Sequence, residues 1–213
     1  ENADLTNANV FGVDFSKTII DGVDLSEAIQ TKFIKNQEKS NIEILHKYSK
    51  LSDMDFSDQD ISNRDLSESQ LNNIDFSNSN FMNNKMAHVD FQGSNLSYTD
   101  LRNVELISSN LSGVSLVGAN LSGANLSGAN LSGANLSGAN LSGANLSGAN
   151  LSDSLLYGAD LNGAYLEYSD LSRAEINGAS FDGAHMQNMV LEDTVLEGVS
   201  FRGGHMEGHD FSG

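Results

Sequence analysis

Hydrophobic residues recur at every fifth position along most of this chain. From Phe56 to Phe211, all 32 positions spaced five apart hold Leu, Ile, Phe or Met. We call each of these residues the centre of a five-residue unit. The position two before the centre is usually small, the position just before it is mostly Asn or Asp, and the two positions after it are polar and rich in Gly. Residues 118–152 repeat the unit Gly-Ala-Asn-Leu-Ser seven times without change.

A period of five matches neither an α-helix, which repeats every 3.6 residues, nor a strand, which repeats every two. It is typical of a chain that turns a corner every five residues. The centre and the small residue then face inward, the polar positions face water, and Gly at the corner adopts the positive φ that tight turns require. Four such sides predict a square coil of 20 residues.

The charged residues test this coil length, because residues 20 apart would lie directly above one another. Opposite charges then alternate along a column, and like aromatic side chains stack, as neighbours across parallel strands prefer. A coil of 15 or 25 residues does not pair these charges, so the sequence predicts a 20-residue coil. The stacked sets are Asp65, Lys85 and Glu105; Asp153, Arg173 and Asp193; Asp182 and Arg202; Asn63, Asn83 and Asn103; Phe56 and Phe76; Phe181 and Phe201; Met186 and Met206.

The tandem unit Ala119-Asn120-Leu121-Ser122-Gly123 and its copies resemble the pentapeptide-repeat proteins, and the resemblance covers nearly the whole chain. It implies an all-β fold, a right-handed quadrilateral β-helix whose centre residues and small residues fill a solid interior. At about 4.8 Å per stacked strand, eight coils would form a rod of about 38 Å. The residues that we expect in this core are Leu121, Leu126, Leu131, Phe56, Phe76, Phe181 and Phe201.

The repeat is interrupted near the start of the chain, which predicts three segments. Residues 1–29 form a first repeat block in a register offset by one, residues 30–50 an insertion, and residues 51–213 the main β-helix. Ser40-Asn41-Ile42-Glu43 reads as a helix-capping box, followed by apolar residues at helical spacing, so we expect a loop and a short helix at roughly 41–50.

The insertion is locally basic, and two roles for it remain open. It either covers one side of an early coil or protrudes and contacts a partner, as inserted loops do in some members of the family. Its five lysines outnumber its two acidic residues, Glu38 and Glu43. The candidate interaction residues are Lys32, Lys35, Lys39, Lys47 and Lys50.

Charge and composition exclude several classes of partner. The formal net charge is −18, which disfavours direct binding to nucleic acid or to an anionic membrane surface. There is no Cys, which excludes disulfides and thiolate chemistry. We find no apolar run long enough to span a membrane and no signal-peptide pattern, and we expect a cytoplasmic, bacterial protein.

No motif points to catalysis, so the sequence predicts neither an enzyme nor a bound cofactor. His185 and His205 lie one coil apart above Tyr165, where they would form either a metal-binding pair or an outward aromatic stack. The stack is the favoured interpretation. The acidic run of Asp53, Asp55, Asp58 and Asp60 resembles a cation-binding loop. However, the repeat places the last three on outward or corner positions of consecutive sides, which favours a solvated acidic edge.

Three functional hypotheses follow. The first is a non-catalytic scaffold whose flat faces serve structure or protein contacts. The second comes from the resemblance alone, because some acidic pentapeptide-repeat proteins mimic duplex DNA, bind DNA gyrase and confer fluoroquinolone resistance. The net charge favours this mimicry, but residues 106–152 contain no charged side chain, whereas a duplex carries charge without interruption. The third is an engineered or excised consensus repeat module, which the seven identical units would also produce.

The ends of the predicted solenoid carry apolar residues without a capping helix. Phe201, Met206 and Phe211 are still centres close to the last residue, Gly213. A solenoid that ends in this way exposes unpaired strand edges and part of its interior. The sequence therefore predicts end-to-end association, as a two-fold dimer through the C-terminal coils.

Overall fold

A computed structural model describes residues 45–207, which wind into a solenoid of parallel four-sided coils. At each described position just before a centre, the chain pairs with the residue 20 positions later, from Asp55 with Asp75 to His185 with His205. The coil therefore contains 20 residues. The first repeat block, residues 1–29, and the candidate residues Lys32, Lys35, Lys39 and Phe211 lie outside the described residues.

Two short strands are long enough to be named. Strand β1 spans Lys50–Ser52 and strand β2 spans Gln70–Asn72, and the two pair in parallel with Leu51 opposite Leu71. On the other described sides the pairing is reduced to one bridge per five residues. The sides are this short because a turn follows each of them. There is no helix within residues 45–207.

The turns have the geometry that the repeat predicts. The N–H of Ala119 donates to the C=O of Leu116 at 3.0 Å, and Gly118 between them has a φ of 63°. A positive φ at the third residue is the requirement of a type II turn, and Gly meets it without strain. Elsewhere the same position is often held by Asn or Asp, such as Asn63 and Asp58, with φ of 58°.

Every backbone N–H of the repeating unit has a partner. Leu121, Gly123 and Asn125 donate to carbonyls of neighbouring coils at 2.7–3.0 Å, and Ala124 closes the turn onto the C=O of Leu121 at 3.0 Å. The fifth N–H, that of Ser122, donates to Oδ1 of Asn120 at 3.1 Å. This last bond explains why Asn or Asp precedes the centre: its side chain satisfies the donor that the coil-to-coil pairing leaves unpaired.

The interior is packed with the centre residues and the small residues beside them. Leu121, Leu126 and Leu131 are fully buried, as are Phe76 and Phe181, and Phe56 is 2% exposed. The rings of Phe56 and Phe76 stack with their centroids 5.5 Å apart, and those of Phe181 and Phe201 are 5.3 Å apart. Phe201 is only partly buried, because it lies in the last described coil.

The helix predicted at 41–50 is wrong for the part of that segment that the structure describes. Residues 45–50 form a bend, a turn and the start of β1. The N–H of Tyr48 donates to the C=O of Ser67 at 3.2 Å, so this backbone bonds to the next coil rather than to its own preceding turn. Leu45 is buried in the core. Residues 45–50 therefore belong to the solenoid; residues 41–44 lie outside the described residues.

Candidate interaction surfaces

The packed interior places the ionisable side chains on four outer faces and on the edges between them. The charged side chains occupy the coils on either side of residues 106–152, where only uncharged Asn, Ser and Gly alternate with apolar residues. The two charged regions each carry a net charge of −9, counted over residues 1–105 and 153–213. Any charge-dependent contact must therefore be made toward an end of the rod rather than at its middle.

Some of the carboxylates are already engaged within the coil stack. Arg173 donates from Nε and Nη2 to the two carboxylate oxygens of Asp153 one coil away, both at 2.8 Å. These bonds lower the pKa of Asp153 below its ordinary value. Arg102 forms the same bidentate pair with Asp100 within one coil: its Nε and Nη2 donate to the two carboxylate oxygens at 2.8 and 2.6 Å. These bonds lower the pKa of Asp100.

The acidic run at the start of the described chain caps turns. Asp55 accepts hydrogen bonds from the N–H of Ser57 at 3.0 Å and from its Oγ at 2.6 Å. Asp60 accepts from the N–H of Ser62 at 3.2 Å, and the Ser62 bonds lower its pKa. Across residues 45–207, no group of three or more His, Asp or Glu side chains is arranged to hold a metal ion.

Tyr165, His185 and His205 form a stacked aromatic column on one outer face. The ring centroids of Tyr165 and His185 are 4.8 Å apart at an interplanar angle of 11°, and those of His185 and His205 are 4.8 Å apart at 19°. Imidazole lone pairs lie in the ring plane, so parallel stacked rings direct their nitrogens side by side rather than toward one point. The geometry is that of an aromatic stack and not of a convergent metal site.

The edge beside this face carries two tyrosines in a strained conformation. We call this column of corner residues the tyrosine edge. Tyr48 and Tyr168 have φ of 65° and 59°, a region in which a bulky side chain is rare. Tyr168 is 70% exposed. The repeat pattern does not single out these residues, because the corner position is variable and mostly polar. The tyrosine edge contains Tyr48, Glu68, His88, Ser108, Gly128, Gly148, Tyr168 and Asn188.

Of the candidate basic residues, the structure describes Lys47 and Lys50. The Lys47 ammonium lies 4.8 Å from the ring centroid of Tyr48 and 3.5 Å from Oε1 of Glu68. The phenol and this carboxylate raise the pKa of Lys47. Lys50 lies in β1. Lys47 is thus bound to the tyrosine edge of its own chain.

The last described coil exposes apolar side chains. The centre residue Leu196 is 40% exposed and the neighbouring Val195 is 57% exposed, whereas the centres of the middle coils are fully buried. Phe201 and Met206 are partly buried against the core. No further coil of the described residues stacks on them.

An open cleft of about 480 Å³ lies on another edge of the rod. It contains amides, a hydroxyl and two glycines but no titratable side chain, so it has no group that could serve as a general acid or base at neutral pH. Its lining residues are Asn72, Asn73, Gln92, Gly93, Ser112 and Gly113. Within residues 45–207 we also find no helix long and apolar enough to cross a membrane.

The chain is similar to several solved structures of repeat proteins. A trypsin-treated variant of QnrB1, a plasmid-mediated fluoroquinolone resistance protein, is 23% identical over 77% of this chain and 86% of its own, with a TM-score of 0.46. HetL, a pentapeptide repeat protein involved in heterocyst differentiation regulation in the cyanobacterium Nostoc sp. strain PCC 7120, is 25% identical over 76% of this chain and 91% of its own, with a TM-score of 0.27.

A pentapeptide repeat protein of the Arabidopsis thaliana thylakoid lumen is 28% identical over 56% of this chain and 66% of its own, with a TM-score of 0.28. A search of curated protein sequences found no significant match. The sequence model of the family described as pentapeptide repeats matches residues 60–97, 85–123, 115–153, 154–191 and 179–213, which together span most of the chain. On this match, and on the five-residue turns and 20-residue coils described above, the chain belongs to the pentapeptide repeat family.

Proposed function

We propose that this protein is a non-catalytic scaffold that acts by binding other proteins through its outer faces. The observation that supports this function best is the filled interior. Successive centre residues such as Leu121, Leu126 and Leu131 are 0% exposed. Within residues 45–207 a filled interior leaves no internal site for a substrate or cofactor, so recognition there falls to the rigid outer columns. Pentapeptide repeat proteins generally have structural or interaction roles, which agrees with this proposal.

The distribution of charge supports two binding regions separated by a spacer. Residues 106–152 fill more than two coils, which corresponds to about 10 Å of uncharged rod. On either side, carboxylates and exposed tyrosines project at fixed spacing from a backbone that is bonded on both sides. A preorganised surface of this kind binds with little loss of conformational entropy.

The test uses the chain's own neutral coils as the control surface. In a consensus-faced variant, the outward residues of the two charged regions are replaced by the Asn, Ser and Gly of residues 118–152, and the inward residues are kept. Circular dichroism verifies that the fold is retained. Chemical crosslinking with mass spectrometry in the source cell should then find defined protein adducts on the charged regions of the wild-type chain and lose them in the variant. The same adducts on both proteins, or none on either, would contradict the scaffold function.

A second candidate is gyrase-directed mimicry of DNA, which the net charge of −18 favours. The uncharged coils argue against it, because a duplex presents about one charge per 1.7 Å of its axis without a gap. A gyrase supercoiling assay with and without the protein separates the two candidates. Inhibition, or protection of gyrase from a fluoroquinolone, would favour mimicry; no effect would leave the scaffold function as the better account.

Three further features belong to the same proposal. We infer the right-handed sense of the coil from the family resemblance. We propose a cytoplasmic, bacterial location. We also propose that two copies associate end to end through the C-terminal coil. The exposed fractions of Leu196 and Val195, 40% and 57%, support this association.

A further inference from the structure

We propose that the tyrosine edge at Tyr168 is a docking site for a lysine-bearing segment of a partner protein. This inference deepens the scaffold function proposed above and rests on it. The edge meets the aromatic face at this point, and Tyr165 and Tyr168 are 46% and 70% exposed. The recognition chemistry is a cation held between a phenol ring and a carboxylate.

The protein itself contains an example of this recognition chemistry. At the other end of the same edge, the Lys47 ammonium lies 4.8 Å from the centroid of the Tyr48 ring and 3.5 Å from Glu68. Tyr48 has the same corner position and the same positive φ as Tyr168, 65° against 59°. The corner geometry repeats in every coil, but Glu167 holds the position that corresponds to Lys47. Asn188 holds the position that corresponds to Glu68. At Tyr168 the chain therefore supplies a ring and an adjacent carboxylate without the ammonium group, which a partner would have to bring.

The carboxylates around Tyr168 are suited to complete such a site. Glu167 precedes Tyr168, and Asp170 follows two positions later on the next side of the coil. Ser147 Oγ donates to Oε2 of Glu167 at 3.1 Å, which orients the carboxylate, and its Oε1 has no hydrogen-bond partner among the described residues. Asp170 is partly exposed, and its Oδ1 accepts hydrogen bonds from the N–H and Oγ of Ser172 at 2.9 and 2.6 Å, which leaves its Oδ2 for a partner.

No cation of residues 45–207 fills this site. Only two Lys or Arg residues follow residue 105, Arg173 and Arg202. Arg173 is nearest in sequence, and its guanidinium is held on both oxygens of Asp153. On the tyrosine edge, the chain therefore provides a cation at Tyr48 but not at Tyr168. Tyr168 also lies in a region of net charge −9, which attracts a basic partner.

Tyr98 provides the matched contrast. It is also a corner tyrosine at positive φ, 59°, and is 65% exposed. However, the nearby Asp100 is already neutralised by the two bonds from Arg102, and the Tyr98 ring lies against Gly118. Tyr98 therefore lacks the free negative charge that the docking site requires.

The test is an NMR titration of the full chain with a peptide of four Gly-Lys repeats, and with the same peptide acetylated on every lysine. The variants are Tyr168→Gly, Glu167→Gln and Tyr98→Gly. Replacement by Gly places the repeat's own corner residue at each position, so the fold is retained, and circular dichroism checks this. The shifts should concentrate at Tyr168. Tyr168→Gly and Glu167→Gln should each weaken binding about two- to fivefold, whereas Tyr98→Gly and wild type should bind equally.

Equal effects of Tyr168→Gly and Tyr98→Gly, undiminished binding of the acetylated peptide, or no binding at all would overturn the docking site. These results are separable from a failure of the scaffold function. If the crosslinks to partner proteins require the charged faces but the lysine peptide does not bind at Tyr168, the scaffold function is supported and the docking site is contradicted. If the peptide binds at Tyr168 but no protein adducts are found in the cell, the scaffold function fails although the local chemistry exists.

Discussion

The Tyr98 ring lies directly over the backbone of Gly118, one coil further along the same edge. A Cβ atom added to Gly118 would lie 2.7 Å from both Cδ1 and Cε1 of the ring. Gly118 also has a φ of 63°. Two separate physical constraints therefore act at this glycine, the left-handed backbone and the space that the ring occupies. Corner glycines such as Gly138 show only the first, because nothing lies within 4 Å of an added Cβ.

Gly118→Ala should consequently destabilise the fold more than Gly138→Ala. Both changes place a Cβ in the left-handed region, at a cost of about 1–2 kcal/mol. Gly138 has a φ of 66° with no atom within 4 Å of the added Cβ. Only at Gly118 must a ring move, and since Tyr98 is 65% exposed the additional cost should be small, about 0.5–1 kcal/mol. Urea denaturation of the two variants measures the difference.

A double variant isolates the contribution of the ring. With Tyr98→Gly in the background, Gly118→Ala and Gly138→Ala should cost the same free energy of unfolding. If the difference persists without the ring, the close approach of Tyr98 and Gly118 is not its cause.

Core truncation should cost far more than removal of a stacked charge. Leu131 is 0% exposed, so Leu131→Ala should lower the free energy of unfolding by about 2–5 kcal/mol. Lys85 pairs through its backbone with Asp65 and Glu105, and its exposed side chain is in none of the ion pairs described within residues 45–207. Lys85→Ala should therefore cost no more than about 0–1 kcal/mol, which is typical of an exposed charge interaction. The urea midpoints of the two variants test this. A larger loss for Lys85→Ala would contradict the assignment of inward and outward positions.

The Asp153–Arg173 pair predicts a stability difference that depends on pH. The Arg173 hydrogen bonds lower the pKa of Asp153 from its ordinary 3.8. When a carboxyl has a lower pKa in the folded state than in the unfolded state, its ionised form stabilises the fold at any pH above the unfolded-state pKa. This stabilisation is lost as the pH falls through the folded-state pKa. Wild type should therefore exceed Asp153→Asn in thermal stability above about pH 4 and converge with it at lower pH. Screening by salt should reduce the difference, because the pair is exposed. A difference that grows on acidification would exclude this pair as its origin.

End-to-end association should be visible in light scattering across protein concentration and ionic strength. Leu196 is 40% exposed in the last described coil, and residues 153–213 carry a net charge of −9. Salt screens the repulsion between two such ends, so the associated fraction should rise with salt. Leu196→Asn should lower it, whereas Ser127→Asn in the middle of the rod should not. A monomer at high concentration and high salt would rule the dimer out.

The coil length followed from the irregular flanks and not from the regular middle. The seven identical units of residues 118–152 look the same after any shift of five, so they cannot distinguish a 15-residue coil from a 20-residue one. The opposite charges of Asp65 and Lys85, 20 residues apart, distinguish the two lengths, and the backbones of these residues are bridge partners on neighbouring coils of the structure. The stacking of Tyr165 and His185 followed from the same count.

Other features could not be predicted from the five-residue pattern. The apolar spacing of Leu45, Tyr48 and Leu51 fits a helix as well as a coil side, and only the bonding of Tyr48 to Ser67 decides between them. The corner position tolerates many residues, so its periodicity gave no reason to single out Tyr168. The contact of Lys47 with Tyr48 and Glu68 depends on side-chain directions that a repeat register does not specify.

The surfaces proposed above all depend on residues 20 apart lying side by side, and paired cysteines test this most directly. The chain has no Cys of its own. Asn125 and Asn145 are bridge partners on neighbouring coils, about 4.8 Å apart, which is within the range of a disulfide. Asn125→Cys with Asn145→Cys should oxidise within one chain at low protein concentration, as read by mass spectrometry. Asn125→Cys with Asn140→Cys or with Asn150→Cys should not; an intrachain disulfide in either control, and none in the first pair, would contradict the 20-residue coil.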